Sequence, residues 1–175
     1  MATSVAITGH TRGIGRGIAE EFKNRNWDVI GFSRSNGFDI AEHDCISRMI
    51  SVVKENDCDV VVINAYHGFM QIHQLFEFAK LWEHDVNKTI ITIGSTSGTE
   101  WRRPYPYKYG VSSLHWILRW KIFNLHQNVG YYTSAQVMLT PILLPTPIGI
   151  RCLLARLFLR FSGCLTSQAP FWLNR

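Results

Sequence analysis

The chain has 175 residues and a mass of 20.1 kDa, enough for one domain with a buried core, and 46% hydrophobic against 18% charged residues argues against wholesale disorder. Its four cysteines (Cys45, Cys58, Cys152, Cys164) form no C-x-x-C pair and have no metal-ligand spacing, which argues against a disulfide scaffold or a zinc module and suits a reducing compartment. The formal charge of +5 would fit a nucleic-acid or anionic-membrane binder, but it sits at one end: residues 1–112 hold all 13 acidic and 12 basic residues, and 113–175 hold six basic residues and no acid.

In chain order, no charged-then-apolar leader precedes the first apolar run, so the cytoplasm is the expected compartment. Val5-Ala6-Ile7-Thr8 ends at Gly9 and reads as a buried strand. From Gly13 the period turns helical, with Ile14, Ile18, Ala19 and Phe22 on one face. Residues 27–33 read as a second strand, and Arg34-Ser35-Asn36-Gly37 as a turn. Residues 46–55 form an amphipathic helix with Ile46, Met49, Ile50 and Val53 inward. Val60-Val61-Val62-Ile63 is a third strand, apolar throughout and so buried on both faces. Residues 72–82 form another helix, with Ile72, Leu75, Phe76 and Ala79 inward, and Ile90-Ile91-Thr92-Ile93 is a fourth strand. Strands alternating with helices of this length mean βαβ units and a doubly wound parallel sheet of Rossmann-like α/β class.

The first strand-to-helix turn reads Thr8-Gly9-His10-Thr11-Arg12-Gly13-Ile14-Gly15. Gly9 permits a tight turn, Gly13 lets the backbone approach a pyrophosphate, and Gly15 allows helix to pack on strand. The helix N-terminus then offers free N–H groups and partial positive charge to phosphates. No Gly-Lys-Ser/Thr ending follows, which disfavours a P-loop NTPase. The end of the second strand is where an acid would bond a ribose 2′-hydroxyl and an arginine would accommodate a 2′-phosphate. Here it carries Ser33-Arg34, with Arg12 in the glycine turn, so NADP is favoured over NAD.

The pattern Thr8-Gly9-x-x-x-Gly13-Ile14-Gly15 resembles the short-chain dehydrogenase/reductase family, and later motifs agree in order. Asp39-Ile40 resembles the pair that contacts adenine. Ile63-Asn64-Ala65 resembles the Asn-Asn-Ala-Gly strand end, with Ile63 and Tyr66 departing from it. Residues 90–98 resemble the strand that leads to the catalytic serine, here Ser95. Tyr109-Gly110-Val111-Ser112, 14 residues after Ser95, resembles the start of the Tyr-x-x-x-Lys helix. The resemblance implies a cofactor site of Gly9, Thr11, Arg12, Gly13, Ile14, Gly15, Arg34, Asp39, Ile40, Asn64 and Ala65. It implies hydride transfer between a nicotinamide and a small carbonyl or alcohol. Tyr109 would be the general acid/base, and Ser95 would hold the substrate oxygen. Tyr105 and Tyr107 are rivals for the first role, although helical spacing favours Tyr109. The resemblance also implies a homo-oligomer for the intact family, which does not carry over simply to this chain.

Two departures stand out. The stretch from Asn64 to Ile90 is short, and Asn87 is a poor candidate for the tetrad asparagine of the family. Position 113 is Ser where the motif has Lys, the group that would favour the phenolate of Tyr109. The lost lysine coincides with the break in composition, because about eight acids would be ordinary in 63 such residues. One missing nucleotide would explain both. With one base restored before the codon of Ser113, residues 113–117 can be reread as Lys-Ser-Ala-Leu-Asp, continuing the active-site helix. The same shift lets 135–140 be reread as Pro-Gly-x-Val-Asp, similar to the turn after the sixth strand of the family. An alternative exon in another frame would leave the same trace.

The expected organisation is therefore a Rossmann domain over 1–112 and a basic, hydrophobic, poorly folded tail over 113–175, with the later strands of the family absent and a sheet edge left unpaired. Pro141, Pro145 and Pro147 interrupt any helix in that tail. Residues 151–161 could form a basic amphipathic helix at a membrane surface, but the favoured reading is out-of-frame apolar sequence with no evolved partner, so no membrane partner is expected. The functional alternatives are an oxidoreductase impaired by the missing lysine, a catalytically inactive nucleotide-binding module, and a membrane-associated protein.

Overall fold

The computed structural model describes residues 3–85 and 87–94, and the backbone of 129–133. All lie in the first of two units, Met1–Pro145 and Thr146–Arg175. In chain order the elements are β1 (Ser4–Thr8), α1 (Gly13–Lys23), β2 (Asp28–Phe32), a 3-10 turn (Arg34–Asn36), α2 (Cys45–Glu55), β3 (Val60–Ile63), α3 (Met70–Leu81), β4 (Thr89–Gly94) and β5 (Val129–Thr133). The five strands form one sheet in the order β2-β1-β3-β4-β5, and every neighbouring pair is parallel. This is the Rossmann-like α/β class that the alternating pattern predicts.

The direction of travel sets the layers. From β1 the chain steps one way to β2, and from there it crosses back to β3 and on to β4. Right-handed crossovers then put α1 on one face and α2 with α3 on the other. The core agrees. Ala6, Val61, Ile63 and Ile90 of the strands pack with Cys45, Met49 and Val53 of α2 and with Leu75, Phe78 and Ala79 of α3. Side chains alternate along a strand, so Val5, Ile7, Val62 and Ile91 face the opposite layer. There α1 supplies its own buried stripe of Ile18, Ala19 and Phe22. All four residues of β3 are buried, as an apolar run in the middle of a two-sided sheet must be.

Two expectations need correction. The sequence pattern turns Phe76 of α3 inward, but Phe76 is 51% exposed and Phe78 is buried in its place. The buried stripe runs through Gln71, Gln74, Leu75, Phe78 and Ala79. Apolar periodicity missed it because two of its members are glutamines. Gln71 is tolerated inside because its Nε2 donates to the Ile93 carbonyl at 2.6 Å. The second correction concerns the edge of β4. It is paired along its length by β5, from Ile90↔Val129 to Gly94↔Thr133. Val129-Gly130-Tyr131-Tyr132-Thr133 is rich in β-branched and aromatic residues, and strand propensity follows from that composition.

Candidate functional site

The ends of β1, β2 and β3 are tied together at the glycine turn. The Thr8 hydroxyl is fully buried and uses its full capacity of one donor and two acceptors. It donates to the Val62 carbonyl at 3.4 Å and accepts the N–H groups of Asn64 and Ala65, each at 3.0 Å. The Asn64 Nδ2 donates to the Thr8 and Gly9 carbonyls at 3.2 and 3.3 Å. The Gly9 N–H donates to the Phe32 carbonyl at 2.7 Å. Asn64 thus holds the turn itself, a task its place in the motif does not reveal.

The glycines at positions 9, 13 and 15 have separate reasons. Gly9 and Gly13 have φ of +72° and +56°, in the left-handed region where a side chain is strained. A methyl on Gly13 would meet nothing within 4 Å, so this backbone lies open. A methyl on Gly15 would overlap the Gly9 carbonyl and the Asn64 amide, so here helix and strand are in direct contact. The residue before α1, Arg12, is extended (φ −151°, ψ 164°) and makes no side-chain cap. No acidic side chain stands in the first helical turn. Among the described residues no side chain caps the first N–H groups of α1, and no acid of its own first turn offsets the positive end of the helix dipole.

These elements open on a cleft of about 580 Å³. It lies beyond the carboxyl ends of the strands, at the point between β1 and β3 where the strand order reverses, which is where open α/β sheets bind ligands. Its floor is Gly9, Thr11 and Arg12. Ser33, Arg34, Ser35, Phe38, Asp39 and Ile40 form the β2 side, and Asn64, Ala65, Tyr66 and His67 the β3 side. Eight of the sequence-predicted cofactor residues thus meet in one cleft, and Gly13, Ile14 and Gly15 open the adjoining helix. Ser95 and Tyr109 lie outside the described residues, as do Tyr105, Tyr107 and Ser113.

The β2 side is shaped by Ser33 and Asn36. The Asn36 Oδ1 accepts from the Ser33 N–H at 2.8 Å, while the Asn36 Nδ2 donates to the Gly31 carbonyl at 2.6 Å. This capping box tightens the 3-10 turn, which closes on Gly37 at φ +84°. Arg34 is left on the rim. Five arginines lie among the described residues. Arg16 pairs with Glu20 at 2.7 Å, Arg25 with Glu21 at 3.2 Å, and Arg48 with Glu42 and Asp44 at 2.5 and 3.2 Å. Arg12 and Arg34 make no ion pair among the described residues, and both line the cleft. Asp39 uses its Oδ1 to accept the Ala41 N–H at 3.0 Å.

Several cleft residues carried no sequence assignment. Phe32 and Phe38 meet at 4.7 Å in an edge-on arrangement and back the β2 side. Tyr66 and His67 form part of the β3 side. The one available signal was that Tyr66 departs from the expected motif. His10 packs its ring on Gly31 of β2, where even a methyl group would collide with it. Its Nδ1 is buried with no hydrogen-bond partner among the described residues.

The fold matches solved structures of short-chain dehydrogenases and reductases. One is a short-chain dehydrogenase from Streptomyces avermitilis, with TM-score 0.63, 14% identity, and 79% of this chain and 68% of that one covered. Another is YwfH, an NADPH-dependent reductase involved in bacilysin biosynthesis, with TM-score 0.56, 14% identity, and 76% of each chain covered. A third is the 3-alpha-hydroxysteroid dehydrogenase from Pseudomonas sp. B-0831 complexed with NADH, with TM-score 0.58, 15% identity, and coverage of 75% and 70%. No family model and no curated protein matches the chain. The chain therefore has the Rossmann-like fold of short-chain dehydrogenases and reductases, the group its motifs resemble. Among the described residues, no helix is long and apolar enough to cross a membrane.

Proposed function

We propose that this chain binds a nicotinamide dinucleotide, NADP in preference to NAD, and that its chemistry is hydride transfer between the nicotinamide and a small carbonyl or alcohol. The observation that carries this reading is the coincidence, at one cleft, of a helix N-terminus, an open left-handed glycine and two arginines that make no ion pair among the described residues. That set fits a diphosphate with a further phosphate on the ribose. The N–H groups of Gly13, Ile14 and Gly15 would hold the diphosphate. Arg12 and Arg34 would hold the 2′-phosphate through their planar donor forks. The Asp39 carboxylate and Ile40 would flank the adenine. When bound, the dinucleotide supplies or accepts the hydride.

In this reading the Tyr109 hydroxyl moves the proton to or from the substrate oxygen, and the Ser95 hydroxyl holds that oxygen. A phenol of ordinary pKa, ~10, is almost wholly protonated at neutral pH. Ser113 puts no cation one helical turn on from Tyr109 to favour the phenolate, so turnover is weak. The same substitution favours the second reading, a nucleotide-binding module without chemistry. The cytoplasm is part of the proposal, as is an origin of residues 113–175 in a shifted frame.

The two readings separate on repair. A chain with Lys at position 113 and the reread tail should reduce carbonyls with NADPH, while the chain as it stands binds NADPH and turns over little. A repaired chain that binds NADPH but reduces no member of a broad carbonyl panel sinks the enzyme reading and leaves the binding module. Source DNA that shows a clean frame, with no lysine codon one base away, sinks the shifted-frame origin.

A further inference from the structure

Asn36-Gly37 is the only Asn-Gly pair in the sequence. It closes the single 3-10 turn that follows β2, and both residues are exposed. Glycine has no Cβ to hinder its own nitrogen from attacking the side-chain amide of the residue before it. A methyl on Gly37 would meet nothing within 4 Å, so water reaches this backbone freely.

The turn polarises the Asn36 amide. Its Oδ1 accepts from the Ser33 N–H at 2.8 Å and from the Ser33 hydroxyl at 3.0 Å. Two donors on a carbonyl oxygen favour the negative charge which that oxygen gains when a nucleophile adds to its carbon. Two further bonds hold the reaction back. The Asn36 Nδ2 donates to the Gly31 carbonyl at 2.6 Å, and the Gly37 N–H donates to the Arg34 carbonyl at 3.3 Å. Local opening of this one turn frees the Gly37 nitrogen. The other members of the turn, Ser33, Arg34 and Ser35, line the cleft, so a ligand bound there holds the turn shut.

We propose that Asn36-Gly37 is a modification site at which deamidation of the open turn abolishes the NADP preference of the cleft, and that bound dinucleotide guards it. The inference rests on the nucleotide reading above and adds a regulation to it. The Gly37 nitrogen, giving up its proton, bonds to the Asn36 Cγ; the Cγ–Nδ2 bond breaks and ammonia leaves with that proton. Water then opens the cyclic imide at one of its two carbonyls, to an aspartate or an isoaspartate. Nothing is oxidised or reduced. Either product replaces the Nδ2 donor with a carboxylate facing the Gly31 carbonyl, acceptor against acceptor, and puts a negative charge in the turn that carries Arg34. The isoaspartate also lengthens the backbone inside the loop that the Phe38 N–H closes on the Ser33 carbonyl at 2.9 Å.

The test ages the full chain in mildly alkaline buffer, with and without saturating NADPH, and maps its peptides by mass. Asn36 should gain one mass unit well before any other asparagine, and NADPH should slow the gain several-fold. In parallel, Asn36→Asp should weaken NADPH about tenfold and NADH less. If that variant has a lowered thermal midpoint, Asn36→Ser decides, since it loses the same bond to Gly31 without the charge: it must keep the NADPH preference that Asn36→Asp loses. Three results each overturn the proposal and leave the nucleotide reading standing: Asn36 converting no faster than the other asparagines, conversion at the same rate with NADPH bound, or Asn36→Asp binding NADPH as tightly as the unmodified chain. An unmodified chain that binds neither dinucleotide overturns both.

Discussion

The two ends of the sheet treat charge in opposite ways. At the amino ends of the strands, polar groups are closed off against one another. The Asp59 carboxylate accepts the Ser4 N–H at 2.9 Å, and the Lys88 ammonium donates to the Asp57 carboxylate at 2.7 Å and to the Asp57 carbonyl at 3.2 Å. Lys88 is also 3.7 Å from Asp59, and its side chain is only 11% exposed. The N–H groups of Asp28, Asp59 and Thr89 each bond a carbonyl of a neighbouring strand or its flank, at 2.9 to 3.0 Å. At the carboxyl ends, by contrast, Arg12 and Arg34 make no ion pair and the N-cap residue of α1 no side-chain cap among the described residues, and Gly9 and Gly13 hold left-handed backbone beside a cleft. One end satisfies its groups internally and serves stability. The other leaves donors and cations unmatched among the described residues, which a fold tolerates most readily where a ligand completes the set.

Substitutions at the two ends should therefore separate stability from binding. The largest effect is expected where both meet, at Gly15. Gly15→Ala drives a methyl into the Gly9 carbonyl, which is backbone and cannot swing away. It should cost about 3 kcal/mol in urea unfolding and abolish NADPH binding. Retained binding would break the link between the glycine turn and the cleft.

Next comes the closed end. Lys88→Met should cost about 2 kcal/mol and leave nucleotide affinity unchanged. Burial alone would lower the Lys88 pKa, but the hydrogen bond and charge of Asp57, then Asp59 and Asp85, outweigh it and raise the pKa above its ordinary 10.5. A raised folded value means that this stabilisation is complete below the unfolded pKa and is lost as pH rises through the folded one. Thermal melts should thus show an alkaline loss of stability, beginning above about pH 10.4, that is reduced in Lys88→Met.

The open end should respond in the reverse sense. Arg34→Ala and Arg12→Ala should each weaken NADPH about tenfold and NADH little, with stability changed by less than about 0.5 kcal/mol. Equal losses for both dinucleotides would remove the 2′-phosphate assignment. The smallest expected effect is at the core thiols. Burial pushes both Cys45 and Cys58 up. Iodoacetamide at neutral pH should leave both unmodified in the folded chain and label both in urea, as mass mapping would read.

The architecture was legible because its elements repeat a strong signal. Val60-Val61-Val62-Ile63 allows no reading but a strand buried on both sides, and the α1 stripe of Ile18, Ala19 and Phe22 is where its periodicity puts it. Signals failed where a polar residue is buried by a specific partner. Gln71 counts as a surface residue until the Ile93 carbonyl is known, and that one bond helps to explain why Phe76 faces solvent. The strand β5 is hidden because the sequence around it lacks acids and family motifs, although five residues of suitable propensity are enough to extend a sheet. In the cleft, the glycines and arginines were legible from chemistry that tolerates few residue types. Tyr66, Phe38 and His10 were not, since aromatic side chains serve cores and sites alike, and only their placement distinguishes the two.

The most direct measurement is calorimetric titration of the folded full chain with NADPH, repeated with adenosine 2′,5′-bisphosphate as competitor. Saturable heat that the competitor suppresses, and that declines as salt is raised, is the expected result. Folded chain that gives no heat, no thermal protection and no spectral change with oxidised or reduced dinucleotide would contradict it.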